Sequence, residues 1–375
     1  MMPYEEWNAE LHTRITDVRF FQFEEHYPRF LGKNARLGSH GSGGTVTAAK
    51  IYTEAGIDGW GQLCSDIDEA KTKSEYLTGK YVSDIFNSES GIKDPFYKPF
   101  DIVLHDLAGR ILGIPVCRMI NPDCTLTARV YDGAIYMNDI IPEEKPVGID
   151  EVIQNCLDDY RLGYRTLKIK IGRGNKWMGH DEGLKRDIEI VNRIHECLPA
   201  ARIMVDANDG YSVRDVIDFL EGIENVELYW FEEPFREDEW NDRQLKKYLL
   251  KNRPMTLIAD GESMTDIELL RNLSSEKILD VWQPDVCGQG FTSWRTLMKE
   301  IADNGWLASP HAWGNVVKTR YCAHLAAAYP HHIPCIEGVP GTSDGLTDKY
   351  SLSDGVMTIP DAPGFGTELA VAKEI

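Results

Sequence analysis

KIKIG, at residues 168–172, is the first of seven short stretches that decide the fold of this chain. Each stretch is a brief apolar run that ends in charged or metal-binding side chains. The others are VDAN at 205–208, WFEEP at 230–234, IADGE at 258–262, WQPD at 282–285, SPH at 309–311 and CIEG at 335–338. From Asp206 onward the polar residues recur every 23 to 30 positions, close to the roughly 30 residues of one βα unit in a parallel barrel. The pattern predicts a barrel with one polar residue at the C-terminal end of each strand.

Helical patterns fill the intervals between these stretches. Residues 126–137 predict the first barrel strand, and 149–162 and 187–198 predict helices. Further helices are indicated by the capping pairs Ser212/Asp215 and Thr265/Glu268 and by Trp294, Leu297, Met298 and Ile301 at helical spacing. Since eight strands recur at near-constant spacing and no glycine-rich dinucleotide turn follows the first, a closed barrel over 126–340 is favoured over an open doubly wound sheet.

Residues 1–125 follow a different order, which predicts an N-terminal α+β domain. Strands are predicted at 14–24, 45–53 and 59–64, and mainly helix at 66–120, including a clear amphipathic helix at 101–113. The stretch 25–45 between the first two strands is basic and rich in glycine, so we expect either a solvated loop or a mobile lid over an active site. The tail at 341–375 has no strong period and is predicted to pack back on the first domain.

Composition limits the function classes. The formal net charge of −20 argues against nucleic acid or an anionic membrane as a partner. Eight scattered cysteines without a CxxC motif favour free thiols in a reducing cytoplasm. No secretory signal and no run of the ~20 apolar residues that a membrane helix needs is visible. We therefore expect a cytoplasmic protein with a small-molecule partner.

Three acidic residues, Asp206, Glu232 and Glu262, end three successive predicted strands. In a barrel such neighbours converge, and they would repel one another unless a cation held them. An all-oxygen ligand set favours Mg²⁺, with Mn²⁺ or Ca²⁺ as alternatives. Any one of these acids alone would more often be a surface residue, but three at successive strand ends predict a metal site.

The remaining strand ends supply acid–base groups. Lys168 and Lys170 are two apart on one strand and so face the same side, where their mutual repulsion should lower the pKa of at least one. On the other side of the mouth, Asp285 should orient and strengthen His311 as a base. Glu337 could donate a proton or a hydrogen bond to a carboxylate oxygen if burial keeps it protonated. A hard metal between two bases suits removal of the proton α to a carboxylate.

In this ordered set, residues 168–337 resemble the mandelate racemase subgroup of the enolase superfamily. The KxK of Lys168 and Lys170, the three acids, the Asp285–His311 pair and Glu337 each match a motif of that family. DIVLHDLAGRILGIPV at 101–116 resembles a helix of its N-terminal capping domain. The implied fold is a modified TIM barrel, (β/α)7β, with an N-terminal α+β capping domain that the C-terminal segment completes. Homo-oligomers are common in the family and are expected here.

The resemblance also implies roles. Lys170 would be the base on one face of the substrate, His311 the base or acid on the other, and Lys168 would hold and polarise the substrate carboxylate. Asn208 would face the metal site. Glu232 would be the ligand of its EE pair, with Glu233 pointing outward, and Asp260 is a rival to Glu262. Substrate contacts are expected from the lid residues His26, Arg29, Lys33 and Arg36.

The expected reaction is dehydration of a sugar acid to a 2-keto-3-deoxy acid through an enediolate. The basic lid would suit a hydroxylated anion, a diacid included. Two bases equally permit a racemase or epimerase of a 2-hydroxy acid, or a cycloisomerase of a lactone or anhydro sugar acid. A catalytically silent sugar-acid sensor is the alternative outside enzymes. A zinc hydrolase fits less well, because no HxH or HExxH pair is present.

Overall fold

The N-terminal part of the chain is an antiparallel sheet backed by helices. The structure, a computed structural model, describes residues 4–223, 225–263 and 265–375. The elements of this part are α1 (Tyr4–Glu10), β1 (Ile15–Leu31), β2 (Gly41–Thr53), β3 (Asp58–Gln62), α2 (Ile67–Ser74), α3 (Val82–Ile85), β4 (Phe86–Asn87), β5 (Gly91–Ile92), α4 (Asp101–Leu112) and α5 (Val116–Ile120), with a 3-10 helix at Pro95–Phe100 before α4. Helix α4 packs closely on β3, since a Cβ added at Gly59 would lie 2.4 Å from the Cα of Leu107.

Strands β1 and β2 extend well into the stretch expected to be a loop. They pair as far as His26↔Gly43 and Leu31↔Gly41, so the connecting loop covers only residues 32–40. The glycines of this stretch serve packing as well as turning: a Cβ at Gly43 would lie 1.9 Å from the carbonyl oxygen of Glu25. The glycine-rich segment that was expected to be a flexible loop is therefore largely β-strand, in which neighbouring backbones lie too close for a side chain.

The second part alternates strand and helix, as predicted. Its elements are β6 (Thr127–Ile135), α6 (Ile149–Arg161), β7 (Thr166–Lys170), α7 (Arg173–Lys176), α8 (His180–Cys197), β8 (Arg202–Asp206), α9 (Val213–Gly222), β9 (Leu228–Glu232), α10 (Glu239–Asn252), β10 (Leu257–Asp260), α11 (Ile267–Ser275), β11 (Val281–Trp282), α12 (Val286–Gln289), α13 (Phe291–Asn304), β12 (Leu307–Ala308), α14 (Val316–Ala328) and β13 (Ile336–Gly338). A second 3-10 helix, Asn138–Ile140, follows β6.

These strands form one barrel. Strands β6 to β12 pair in sequence order. Strand β13 pairs in parallel with β6, so the last strand of the barrel lies beside the first. Tyr131, Met204 and Trp230 fill the interior as a small separate core. The predicted (β/α)7β barrel with an α+β capping domain is confirmed, and all strand C-termini open at one mouth.

The C-terminal segment divides between the two parts. It contains β14 (Thr342–Ser343), β15 (Leu346–Asp348), β16 (Ser351–Ser353), β17 (Val356–Thr358), β18 (Thr367–Leu369) and β19 (Lys373–Glu374). Strands β14 and β19 pair with β1 and so complete the sheet of the capping domain. Strand β17 instead pairs with β6 of the barrel, a contact that the sequence did not predict.

One of the two predicted helix caps is wrong. Ser212 and Asp215 form the predicted capping box at the start of α9. At α11 the cap is Asp266, whose side chain accepts a hydrogen bond from the backbone N–H of Leu269 at 3.1 Å. The hydroxyl of Thr265 donates to the carbonyl of Gly261 instead. An aspartate next to a threonine offers two possible caps, and the backbone conformation decides between them.

The eight cysteines are unpaired, as expected. Within the ranges given above, no helix is both long enough and apolar enough to cross a membrane.

Candidate active site

Three carboxylates meet at the mouth of the barrel. Asp206 and Glu232 are the last residues of neighbouring strands and stand directly opposite one another in the β8–β9 register. Glu262 follows the end of β10 by two residues. One oxygen from each of the three lies within 4.8 Å of the others, and Asp206 and Glu232 are fully buried. The sequence predicted this convergence, and we call the three residues the carboxylate cluster.

The cluster fits a hard divalent cation. Burial, followed by repulsion from Asp206 and Glu262, raises the pKa of Glu232 to about 8. Glu262 Oε2 is buried and makes no hydrogen bond. A buried oxygen without a hydrogen bond and a carboxylate shifted towards its neutral form both fit a site that holds a cation. The all-oxygen donor set is of the type that Mg²⁺ prefers.

Lys168 and Lys170 both point into the mouth, as predicted. Carboxylates surround their charges, so the predicted repulsion between the two lysines does not dominate. The Nζ of Lys168 contacts Glu232 and lies 2.9 Å from Glu337 and 3.4 Å from Asp206. The Nζ of Lys170 contacts Asp206. Burial would lower the pKa of each lysine, yet the surrounding carboxylates outweigh it and raise both. The prediction of a lowered lysine pKa is wrong.

His311 sits at the other end of the cluster. Its Nδ1 is 2.9 Å from Asp285 Oδ2 and its Nε2 is 3.3 Å from Glu262 Oε2. Burial opposes the charged ring, but Glu262, Glu337 and Asp285 raise the pKa of His311 to about 9. The ring nitrogen Nδ1 donates to the carboxylate, which leaves Nε2 directed at the cluster. The predicted Asp285–His311 pair is therefore present.

A third residue joins this pair. Lys318, in the first turn of α14, donates from Nζ to Asp285 Oδ2 at 2.8 Å and to the carbonyl of Trp313 at 3.2 Å. The other oxygen of Asp285 accepts from the backbone N–H groups of Cys287 and Gly288. Although burial opposes it, hydrogen bonding from His311 and the charge of Lys318 hold the pKa of Asp285 well below its usual range. Asp285 is thus a fixed anion.

Glu337 does not have the protonated state that the sequence analysis required of a proton donor. Its Oε2 accepts the backbone N–H of Ala312 at 2.9 Å, and its Oε1 pairs with Lys168. Burial alone would raise the pKa of Glu337, but the charges of Lys168 and His311 lower it to about 2. It is an ionised acceptor at neutral pH.

The neighbouring acids resolve two alternatives. Asp260 is buried, but it is not part of the carboxylate cluster, which takes Glu262 instead. Glu233 was expected to point outward and does not: it is 1% exposed, and its Oε2 accepts from Asn208 Nδ2 at 3.0 Å. Its φ of 38° turns the chain after β9 and redirects the side chain inward. Asn208 lies beside the cluster as expected, with its backbone N–H on Asp206.

Of the four lid residues, only Arg36 approaches the cluster. It lies 2.5 Å from Asp209 and 3.3 Å from Glu233, and it donates to Ser263 at 2.8 Å. The others are engaged elsewhere. Arg29 forms a buried ion pair with Asp159, Lys33 contacts Glu143, and His26 lies on the surface 3.3 Å from Asp344. A count of basic residues along the loop could not reveal these partners.

Several residues at the mouth escaped the sequence analysis. Tyr136, just after β6, places its ring centroid 5.4 Å from Lys170 Nζ. Gln283 donates to Glu232 at 2.7 Å. Both lie at the C-terminal ends of barrel strands, so the positional rule that found the acids could have found them too. Trp313 and Lys318 lie beyond strand ends, and no local signal marks them.

Comparisons with known proteins agree with this geometry. A family model described as "Enolase C-terminal domain-like" matches residues 151–373. A structure of galacturonate dehydratase from Geobacillus sp., complexed with D-galacturonate and 5-keto-4-deoxy-D-galacturonate, is 30% identical and covers 96% of this chain and 95% of that one, with a TM-score of 0.85.

Two further proteins are similar. A mandelate racemase/muconate lactonizing protein from Geobacillus sp., complexed with magnesium/tartrate, is 29% identical with a TM-score of 0.86, covering 96% of this chain and 93% of that one. The D-galactarolactone cycloisomerase of Agrobacterium fabrum is 26% identical over 287 residues, which is 72% of this chain and 70% of that protein.

Proposed function

Because this chain belongs to the enolase C-terminal domain-like family, we propose that it is a Mg²⁺-dependent lyase that dehydrates a sugar acid to a 2-keto-3-deoxy acid. The proposed reaction begins with removal of the proton α to the carboxylate. The observation that carries the proposal is the placement of two proton-transfer groups at different ends of the carboxylate cluster: Lys170 contacts Asp206, and His311 contacts Glu262.

Asp206, Glu232 and Glu262 would hold the metal ion. When bound, it would supply positive charge to the substrate carboxylate, which becomes a dianion when the α proton leaves. Lys168 would add a second positive charge at the same place, since its Nζ already lies among Glu232, Glu337 and Asp206.

Lys170 would take the α proton, for which its amine must be neutral. Its pKa is raised because Asp206 stands beside it. Asp206 engaged as a metal ligand would favour the protonated amine less, and burial of Lys170 favours the neutral amine.

His311 would complete the dehydration. The C–O bond to the β hydroxyl breaks, and Nε2 of the protonated ring gives its proton to the departing oxygen, so that water leaves. Asp285 keeps Nδ1 protonated and the ring fixed, and Lys318 holds Asp285 in place. The enol that remains takes a proton and becomes the 2-keto acid.

Support also comes from the solved galacturonate dehydratase, whose complex contains D-galacturonate and 5-keto-4-deoxy-D-galacturonate, a sugar acid and a keto-deoxy acid. A cycloisomerase is the second candidate, favoured by the similarity to the D-galactarolactone enzyme. In that reaction the ring oxygen of a lactone would leave in place of a hydroxyl, so the mass of the product would equal that of the substrate.

The test is a screen of stereochemically complete sugar acids and lactones with Mg²⁺ in D₂O. A dehydratase yields a product that reacts with semicarbazide, and both Lys170→Met and His311→Asn should lose it by about 10²–10⁴-fold. An epimerase would place deuterium at the α carbon without loss of water. Binding without turnover or exchange for any acid would identify a sensor and overturn the proposal.

Two expectations from the sequence accompany this proposal. Unpaired cysteines support a reducing compartment such as the cytoplasm. Homo-oligomerisation stays a prediction, which light scattering of the purified protein would check.

A further inference from the structure

We infer that the substrate is a monocarboxylic sugar acid, uronic or aldonic, whose end distant from the reacting carboxylate is uncharged. This inference deepens the proposed function and rests on it. It follows from the groups that surround Lys170 and the carboxylate cluster, and it excludes aldaric diacids as the preferred substrates.

One side of the mouth is a wall of aromatic rings. Tyr136, beside Lys170, has its ring centroid 4.4 Å from His40 and 4.9 Å from Trp313. Tyr27 stacks on Trp313 at 5.6 Å. Three segments build this wall: the capping domain gives Tyr27 and His40, the end of β6 gives Tyr136, and the loop after His311 gives Trp313. We call these four residues the aromatic wall.

The wall carries no positive charge. His40 Nδ1 is 3.0 Å from the carbonyl of Gly32, an oxygen that can only accept, so Nδ1 carries the proton. Burial, and then the charge of Lys170, lower the pKa of His40, which keeps the ring neutral. In the neutral ring Nε2 is an acceptor. An acceptor suits a sugar hydroxyl, which can donate to it, and repels a carboxylate, which cannot.

On another side of the mouth, the basic residues that the structure describes near the loop 32–40 already have partners. Arg36 is shared between the carboxylates of Asp209 and Glu233, so this side has more acidic than basic groups. Arg29 and Lys33, the other basic residues of the loop region, are paired with Asp159 and Glu143. Lys176 donates to the carbonyl of Arg36, which leaves it on the outside of that loop.

A second carboxylate would therefore meet an acceptor and acidic groups on the two sides. Like charges brought together in a site lower the affinity by more than about tenfold. A hydroxylated or aldehyde end has no such penalty. Aromatic faces also pack well against the C–H groups of a sugar chain, as in other pockets that combine apolar walls with a few polar groups.

The experiment compares acids that differ only at the distant end: D-galacturonate, D-galactonate and galactarate, and the corresponding gluco and manno series, each with Mg²⁺. We expect kcat/KM for a uronate or aldonate to exceed that for its diacid by about tenfold or more. Equal or greater kcat/KM for the diacid in the series that reacts best would overturn the inference.

Binding separates this inference from the proposed function. The dissociation constants of the same acids are measured by calorimetry with the Mg²⁺-loaded His311→Asn variant, which cannot complete the reaction. Tighter binding of monoacids without turnover by the natural chain would support the inference while the proposed function fails. Tighter binding of diacids would overturn the inference, whether or not turnover is found.

A variant tests the charge argument directly. Asp209→Asn removes one of the two carboxylates that occupy Arg36 and should raise the diacid/monoacid ratio of kcat/KM by about tenfold. Asp17→Asn, which changes an exposed aspartate paired with Arg19 in the capping domain, is the matched control and should leave the ratio unchanged. An unchanged ratio in Asp209→Asn would contradict the role given to the acidic side.

Discussion

Asp206 and Glu232 are opposite one another on adjacent strands, and yet their carboxyl groups behave differently. Both are buried, which opposes ionisation of each. Lys170 and Lys168 hold the pKa of Asp206 well below its usual range, whereas at Glu232 burial, followed by repulsion from Asp206 and Glu262, outweighs the charge of Lys168 and raises the pKa. At the scale of the residue, the charge of each acid is set by its contacts and not by its type.

This difference predicts opposite effects of two similar substitutions. When the folded pKa of an acid is raised to about 8, the protein loses stability as the pH rises from the unfolded pKa of that acid through 8. Glu232→Gln should therefore stabilise the protein in EDTA at pH 8 by about 2 kcal/mol. Asp206, whose pKa is lowered, stabilises the fold above its unfolded pKa, so Asp206→Asn should destabilise it at the same pH.

Chemical denaturation in EDTA measures both changes. Added Mg²⁺ should stabilise the natural chain by mass action and should have little effect on either variant. If Mg²⁺ stabilised Glu232→Gln as strongly as the natural chain, Glu232 would not belong to the metal site.

Lys318 gives a second prediction at this scale. Removing its charge in Lys318→Met should loosen Asp285 and lower kcat by about 10–100-fold, the usual effect of losing a group that orients a functional side chain, with little change in KM. The pH at which His311 loses its proton should rise, because Asp285 would no longer share its charge with a second cation.

Lys318→Arg is the control, since it keeps the charge and should recover part of the activity. A Lys318→Met variant whose kcat falls while its pH profile stays unchanged would indicate a structural role only.

At the scale of the elements, Glu25 links the capping domain to the barrel. It lies on β1, and its Oε2 accepts the backbone N–H of Val316 at 2.6 Å at the start of α14, the helix that carries Lys318. Its Oε1 is buried without a partner. Burial raises the pKa of Glu25 to about 7, although the backbone N–H groups of Val316 and Val317 oppose the shift.

The sign of the pH effect follows from that shift. Since the folded pKa exceeds the unfolded value of about 4.3, stability present at pH 4 is lost as the pH rises through 7. Glu25→Gln keeps an acceptor for Val316 and removes the charge, so it should raise the free energy of unfolding by about 2 kcal/mol at pH 8 and have almost no effect at pH 4. Urea unfolding at the two pH values measures this.

Glu25→Ala is the matched comparison, because it removes the acceptor together with the charge. We expect it to be about 1 kcal/mol less stable than Glu25→Gln at both pH values, because the backbone N–H of Val316 loses its acceptor at the start of α14. A Glu25→Gln variant less stable than the natural chain at pH 8 would contradict the assigned shift.

At the scale of the whole molecule, Arg36 joins the capping domain to the barrel over the mouth. It comes from the loop 32–40 and contacts the segments that follow β8, β9 and β10 through Asp209, Glu233 and Ser263. Arg36→Met should release this loop and raise KM by about tenfold, because the loop helps to order the mouth that binds the substrate. The effect on kcat should be smaller, because the proton-transfer groups lie on the barrel and stay in place.

Steady-state kinetics and the rate of proteolysis within residues 32–40 would measure the release. Arg19→Met, at an arginine about half exposed in the same domain, is the control and should change neither. An Arg36→Met variant with the KM of the natural chain would show that closure of the loop does not depend on this contact.

The sequence by itself determined the barrel, because a parallel βα repeat leaves a regular record of apolar strands and polar strand ends. It also placed Asp206, Glu232, Glu262, Lys168, Lys170 and the Asp285–His311 pair at one mouth, since strand C-termini in a barrel share an edge. It found the two-part organisation and the helix α4 from periodicity and stop signals.

Only the tertiary structure decided what each charged group is paired with. From the sequence, Lys168 and Lys170 are expected to repel one another, but in the fold both lie among carboxylates, which raise their pKa values. Arg29, Lys33 and His26 look alike along the chain, yet each is bound to an acid more than 100 residues away, and the aromatic wall comes from three separate segments. The physical reason is that strand and helix patterns are local, whereas ionisation and recognition depend on distances that only the packed chain sets.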